Sequence, residues 1–172
     1  MLAILKLLQS IVSTLHSAGS PRQVALGFAL GASLGLTPLP NVHNGVVVLL
    51  LCVLNVSFGA GMLAWAVFTP VGFMLDPLFD RVGQALLLGT PALTPLWTSW
   101  YNAAGMPWTN FNNTVVLGSV VAWLVLFAPI ALAARWGLVR YRARYAAAFE
   151  QSRWMKAVKA SKLYNVWSWF SP

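Results

Sequence analysis

At 172 residues the chain has the length of one ordinary domain, yet 59% of it is hydrophobic, only 8% is charged and its mean hydropathy is +0.71. Globular proteins carry about 25% charged residues, and a body this small cannot hide so much apolar surface in one core. The composition excludes an ordinary soluble domain and makes lipid the expected solvent.

The charges are confined to a few places. No Asp, Glu, Lys or Arg lies between Gln23 and Leu75 or between Val82 and Ala134. They sit instead at Lys6, Arg22, the cluster Asp76/Asp80/Arg81, and a stretch from Arg135 to Lys162 with eight Lys or Arg against one Glu. Net charge +8 would suit a phosphate footprint in a nucleic-acid-binding domain. Because the cations flank an apolar segment, the positive-inside rule explains them more economically, and no nucleic-acid partner is expected. Cys52 alone supports neither a disulfide framework nor a Cys-based metal site. His16 and His43 have no ligand at metal spacing, so neither metal nor cofactor is expected.

In chain order, residues 1–19 read as an amphipathic helix. Ile4, Leu5, Leu7, Leu8, Ile11, Val12 and Leu15 share one arc, and the polar residues, His16 included, share the other. Such a helix lies in the membrane interface or packs on the membrane domain. Ser20-Pro21 then caps and starts a helix that carries Gly27, Gly31 and Gly35 at a spacing of four. Small residues in register let helices approach closely in lipid. The partner is either internal, the reading adopted here, or another subunit, which leaves a homo-oligomer open.

That helix is too short to cross. From Gln23 to Leu36 it reaches roughly 21 Å at ~1.5 Å per residue, short of a ~30 Å hydrocarbon core. Thr37-Pro38-Leu39-Pro40-Asn41 breaks it, and a second helix with Asn41 as cap runs apolar to Thr69-Pro70. Residues 20–41 are thus expected as a re-entrant arm and 42–70 as a span. Asn55, Ser57 and Gly59-Ala60-Gly61 mark a place where that span could bend or split into two short arms. Irregular backbone at depth must be buried or face water. The tip at 37–44 therefore gathers the candidate ligand- or partner-contacting residues Thr37, Pro38, Pro40, Asn41, His43 and Asn44. The simpler alternative is that Asn41 caps the second helix and His43 satisfies carbonyls of the first.

Asp76-Pro77 reads as a new helix start, giving an interfacial helix over 76–89 with Asp80, Arg81 and Gln84 on its polar side. Asp76 and Asp80 at i,i+4 fit a cap and a first-turn acid better than paired catalytic carboxylates. Residues 90–112, rich in proline and aromatics, read as an interfacial loop, and Asn110, Asn112 and Asn113 follow as further polar candidates beside Asn55. Residues 113–134 are the clearest span. The tail, 135–172, is basic and aromatic, suited to a cytoplasmic leaflet rich in anionic phospholipid. The whole is an all-α integral membrane protein with about two spanning helices and both termini cytoplasmic.

The residues Ser20-Pro21, Ala25-Leu26-Gly27-Phe28-Ala29-Leu30-Gly31, the Pro38/Pro40 break, Asn55 and Thr69-Pro70 resemble the bacterial domain-of-unknown-function family numbered 2062. The likeness runs from Ser20 to about Leu88; Thr69 stands where many relatives have Asn. The phrases Leu36–Gly45 and Thr109–Thr114 resemble a narrower subfamily of small proteobacterial inner-membrane proteins. The resemblance implies a bacterial inner-membrane protein encoded beside a large, lipid-bridging, AsmA-like envelope protein. It implies no activity and no catalytic residue.

Three functions suit such a chain. The preferred one is a non-enzymatic inner-membrane partner or anchor for a larger envelope protein, supporting phospholipid transport toward the outer membrane. An oligomeric small-solute transporter or channel is the alternative, disfavoured by the lack of intramembrane charge for ion coupling. A lipid-processing enzyme lacks a nucleophile–base pair, a metal set and a phosphate loop.

Overall fold

The computed structural model describes residues 19–38 and 41–144. Of the amphipathic helix expected over 1–19, residues 1–18 lie outside the described residues, as do residues 39 and 40 at the tip and the tail beyond 144. The chain divides into two compact units, Met1–Arg135 and Trp136–Pro172. In the second, the Arg140 guanidinium lies 4.9 Å from the Trp136 ring centroid, a cation–π contact within one helix.

The described residues contain helices and no strand. They are α1 (Pro21–Leu36), α2 (Val42–Val53), α3 (Phe58–Leu87), α4 (Thr94–Tyr101) and α5 (Thr114–Arg144), with 3-10 turns at Pro91–Leu93 and Met106–Thr109. The start of α1 follows from its sequence. Ser20 Oγ accepts from Gln23 N while Gln23 Oε1 accepts from Ser20 N, a capping box with Pro21 at the first turn. At the other end the Pro38 ring disfavours helical backbone at Thr37, which is extended.

Four expectations are corrected. Residues 42–70 are not one span: α2 ends at Val53, and Leu54 to Ser57 form a bend held from outside. Gln23 Nε2 donates to Asn55 Oδ1 (2.7 Å) and Ser57 N donates to Gln23 O (3.1 Å), so the start of α1 fixes the break. Nor is there a separate helix over 76–89. α3 runs unbroken through Pro70 and Pro77, and Asp76 lies inside it rather than at a cap. An interior proline costs ~3 kcal/mol or more in a water-exposed helix, but helices packed against others tolerate it. The 90–112 segment is not all loop, since α4 and two 3-10 turns order it; and α5 continues through Arg144, past the expected boundary at 134.

α1 lies along the first half of α3 at backbone distance. A Cβ on Gly27 would collide with the Ser57 carbonyl, and one on Gly31 with the carbonyl of Gly61. One on Gly35 would come within 2.7 Å of Thr69 N. Gly27, Gly31 and Gly35 are therefore internal packing residues. The second half of α3 receives α5 in the same way: a Cβ on Gly83 would strike the Thr114 carbonyl, and one on Gly118 the Phe79 carbonyl. α2 folds back on α1 through Leu30, Leu34, Val47 and Leu51, with Trp123 and Phe127 packed on that cluster. Trp123 Nε1 donates to the Ala29 carbonyl (2.8 Å), the acceptor the buried Ser33 hydroxyl would use one turn on; Ser33 Oγ has no partner among the described residues.

Small residues fill much of the interior beside the Leu30/Leu34/Val47/Leu51 cluster and Phe79, while many large apolar residues face outward. Ala29, Ala32, Ser33, Ala60 and Ala64 are fully buried, whereas Phe73, Met74 and Val125 are 74%, 80% and 70% exposed. α3 and α5 are both long and apolar enough to cross a membrane.

Candidate functional site: the hairpin tip and its cleft

The α1–α2 hairpin turns at Thr37, and its polar groups are mostly satisfied there. The Thr37 hydroxyl lies 2.6 Å from the Ser33 carbonyl and 2.8 Å from Asn44 Oδ1, so its single proton is shared between them. Asn44, buried like Thr37, donates Nδ2 to the Pro38 carbonyl at 3.3 Å. Asn41 donates to the same carbonyl at 2.5 Å and makes no side-chain cap bond to α2, which corrects its expected role. Its Oδ1 accepts from Asn110 Nδ2 (2.7 Å), tying the tip to the segment before α5. Asn110 holds a left-handed backbone (φ 54°), a conformation asparagine tolerates better than most residues. His43 Nε2 is shielded from solvent and has no partner among the described residues, so the expected satisfaction of α1 carbonyls by this atom is not found.

Beside the tip lies a cleft of about 210 Å³ between the end of α1 and the middle of α3. Leu34 to Pro38 form one wall. The other is formed by Trp65, Thr69, Gly72, Phe73 and Asp76, which recur at helical spacing along one side of α3. Thr69 turns its hydroxyl to the Trp65 carbonyl (2.7 Å), removing that group from the cleft's free polar inventory. Asp76 is the charged residue of the lining, half-buried and without a hydrogen-bond partner among the described residues.

One turn further along α3, Asp80 is fully engaged. It accepts from the Thr114 hydroxyl and from Gln84 Nε2 (2.8 Å), joining α3 to the start of α5. The two acids, expected as a helix cap and a first-turn acid, instead do different things inside one helix: Asp80 links helices and Asp76 faces a cleft. Arg81 is exposed on the same helix. Asn113 Oδ1 accepts from Val116 N (3.1 Å), a helix cap for α5, while Asn112 is exposed. Asn55 binds Gln23 at the opposite end of the hairpin and is not part of the tip. Between that end and Asp80, α3 rises roughly 35 Å at ~1.5 Å per residue from Ser57.

The site therefore brings together Thr37, Pro38 and Asp76, with Asn41, Asn44 and Asn110 bracing the tip behind them. The sequence reading missed Trp65, Thr69 and Phe73. It also missed that Gly61, Gly72 and Gly83 recur every eleven residues, about three helical turns, which places them on one stripe of α3. That stripe is where α1 and then α5 land.

Residues 6–147, which include every element from α1 to α5 up to the last described residue, match the family described as "Uncharacterized protein conserved in bacteria (DUF2062)". The chain belongs to this family. An uncharacterized protein of Treponema pallidum (strain Nichols) is 26% identical over 140 residues, covering 81% of this chain and 85% of the relative. No solved structure matches. The DUF2062 match therefore takes in both seams and the cleft together.

Proposed function

We propose that this DUF2062 protein is a non-enzymatic inner-membrane protein that holds a phospholipid headgroup in the cleft between Thr37 and Asp76, as the membrane partner of a larger envelope protein. α3 and α5 cross the bilayer in this reading, and the α1–α2 hairpin enters from the cytoplasmic side without leaving on the other. The distribution of cations, with Lys6, Arg22 and the basic tail at the two ends, supports cytoplasmic termini. The hairpin tip, Asp80 and the segment 88–113 then lie toward the periplasm.

One observation carries the reading. The cleft lies at the polar end of the hairpin, and its wall continues through Phe73 onto the exposed apolar surface of α3. A headgroup could enter sideways while its acyl chains stay against that surface. Contiguous large apolar exposure of this kind suits lipid contact rather than water. A headgroup held near the periplasmic face is placed where a larger protein could receive it.

The test is purification of the tagged full-length chain from native bacterial membranes, with proteins and lipids identified together by mass spectrometry. Co-purified phospholipid and one recurring envelope protein support the proposal. A lipid-free closed homo-oligomer overturns it in favour of the channel alternative. Trp100→Cys in a Cys52→Ala background reads the topology: labelling by a membrane-impermeant maleimide from the periplasm is expected, and protection there overturns the arrangement.

A further inference from the structure

We infer that the cleft recognises a primary ammonium group through Asp76, which makes an aminophospholipid its preferred headgroup. This rests on the headgroup-binding reading above. Asp76 is a half-buried carboxylate beside the apolar residues Leu34, Leu36 and Phe73, a setting in which a cationic partner is favoured. The other acid of α3, Asp80, has two donors; Asp76 has none among the described residues. The free polar capacity of the cleft therefore accepts hydrogen bonds and carries negative charge, opposite to what a bare phosphate would select.

The neighbours of Asp76 point the same way. Phe73, one turn before Asp76 on the same side of α3, belongs to the lining as well, and aromatic faces attract cations. The Thr69 hydroxyl is committed to the Trp65 carbonyl, and the Thr37 proton to Ser33 and Asn44. Neither offers a free proton to an anion. A small ammonium with three donors suits one carboxylate with an aromatic residue a turn away.

The experiment uses the full-length protein in bilayer nanodiscs holding equal amounts of phosphatidylethanolamine and phosphatidylglycerol with identical acyl chains. Lipids retained after mild detergent extraction are counted by native mass spectrometry. Wild type is expected to retain the ethanolamine lipid about fivefold over the glycerol lipid, the modest factor suited to a half-open charged contact. Asp76→Asn, which keeps the side-chain shape, is expected to bring the ratio near one through loss of retained ethanolamine lipid, at an unchanged melting temperature. Asp76→Glu should retain a preference. A preference unaltered in Asp76→Asn overturns the inference and leaves headgroup binding standing; the absence of any retained phospholipid overturns both. Lipid-stripped protein is titrated in parallel with free ethanolamine. Saturable binding that Asp76→Asn abolishes, without a lipid preference, assigns the ammonium to a free amine. No preference and no ethanolamine binding overturns the ammonium site.

Discussion

The seam between α1 and α3 and the tip a few residues beyond it are held by opposite means. Along the seam, backbone meets backbone: Gly27, Gly31 and Gly35 leave no space for a side chain against Ser57, Gly61 and Thr69. At the tip, side chains do the joining, with Thr37, Asn41, Asn44 and Asn110 satisfying one another and the Pro38 carbonyl. In lipid, where burial of apolar groups does not drive helices together, close packing and polar bonds are the two means left. A seam of glycines fixes position and leaves nothing free to bind. A polar turn braced from behind leaves an open cleft in front of it.

The largest effect expected from this contrast is at the seam. Gly31→Leu should cost more than ~2 kcal/mol by forcing two backbones apart, seen as loss of monodisperse protein in detergent. Gly83→Leu should behave alike at the α3–α5 contact. If both variants survive extraction with unchanged melting, the close approach is not what holds these helices.

Tip substitutions should be milder and separable by mechanism. Asn44→Ala leaves the Pro38 carbonyl short of a donor and Thr37 short of an acceptor, so a loss of ~1–2 kcal/mol is expected in thermal unfolding. Asn110→Ala combines a lost bond to Asn41 with an alanine in left-handed backbone, again ~1–2 kcal/mol. Asn110→Gly should cost less than the alanine variant, because glycine adopts that backbone freely. Equal losses would show that the backbone conformation contributes nothing.

The smallest effect marks where the glycine argument stops. Nothing lies within 4 Å of a Cβ on Gly45, in the first turns of α2. Gly45→Ala should therefore be neutral or stabilising by up to ~1 kcal/mol, the ordinary helix-propensity difference. A destabilised Gly45→Ala would mean that glycines in this chain matter for some reason other than close approach.

How far these features could be read from sequence follows the same division. The start of α1, its glycine face and the break at Thr37-Pro38 were legible because each rests on local chemistry: a cap, a spacing of four, a proline. α3 was not. Pro70 and Pro77 signal ends by rules suited to helices in water, and they made Asp76 look like a cap rather than a residue facing a cleft. What keeps the helix whole is tertiary, the landing of α1 and α5 on the stripe of Gly61, Gly72 and Gly83. That stripe was present in the spacing of eleven, but its meaning depends on one helix running from 58 to 87. Likewise Asn41 had the look of a cap, and its bond to Asn110 joins positions too far apart in sequence for any local pattern to reveal.

The central claim is that the tip braces and the cleft binds. It is tested most directly by measuring retained phospholipid and melting temperature together in Thr69→Phe, which fills the cleft, and in Asn44→Ala, which loosens the tip behind it. The account predicts that Thr69→Phe loses most of its phospholipid at an unchanged melting temperature, while Asn44→Ala melts earlier and keeps its lipid. A Thr69→Phe protein that retains the full wild-type complement of phospholipid would contradict it.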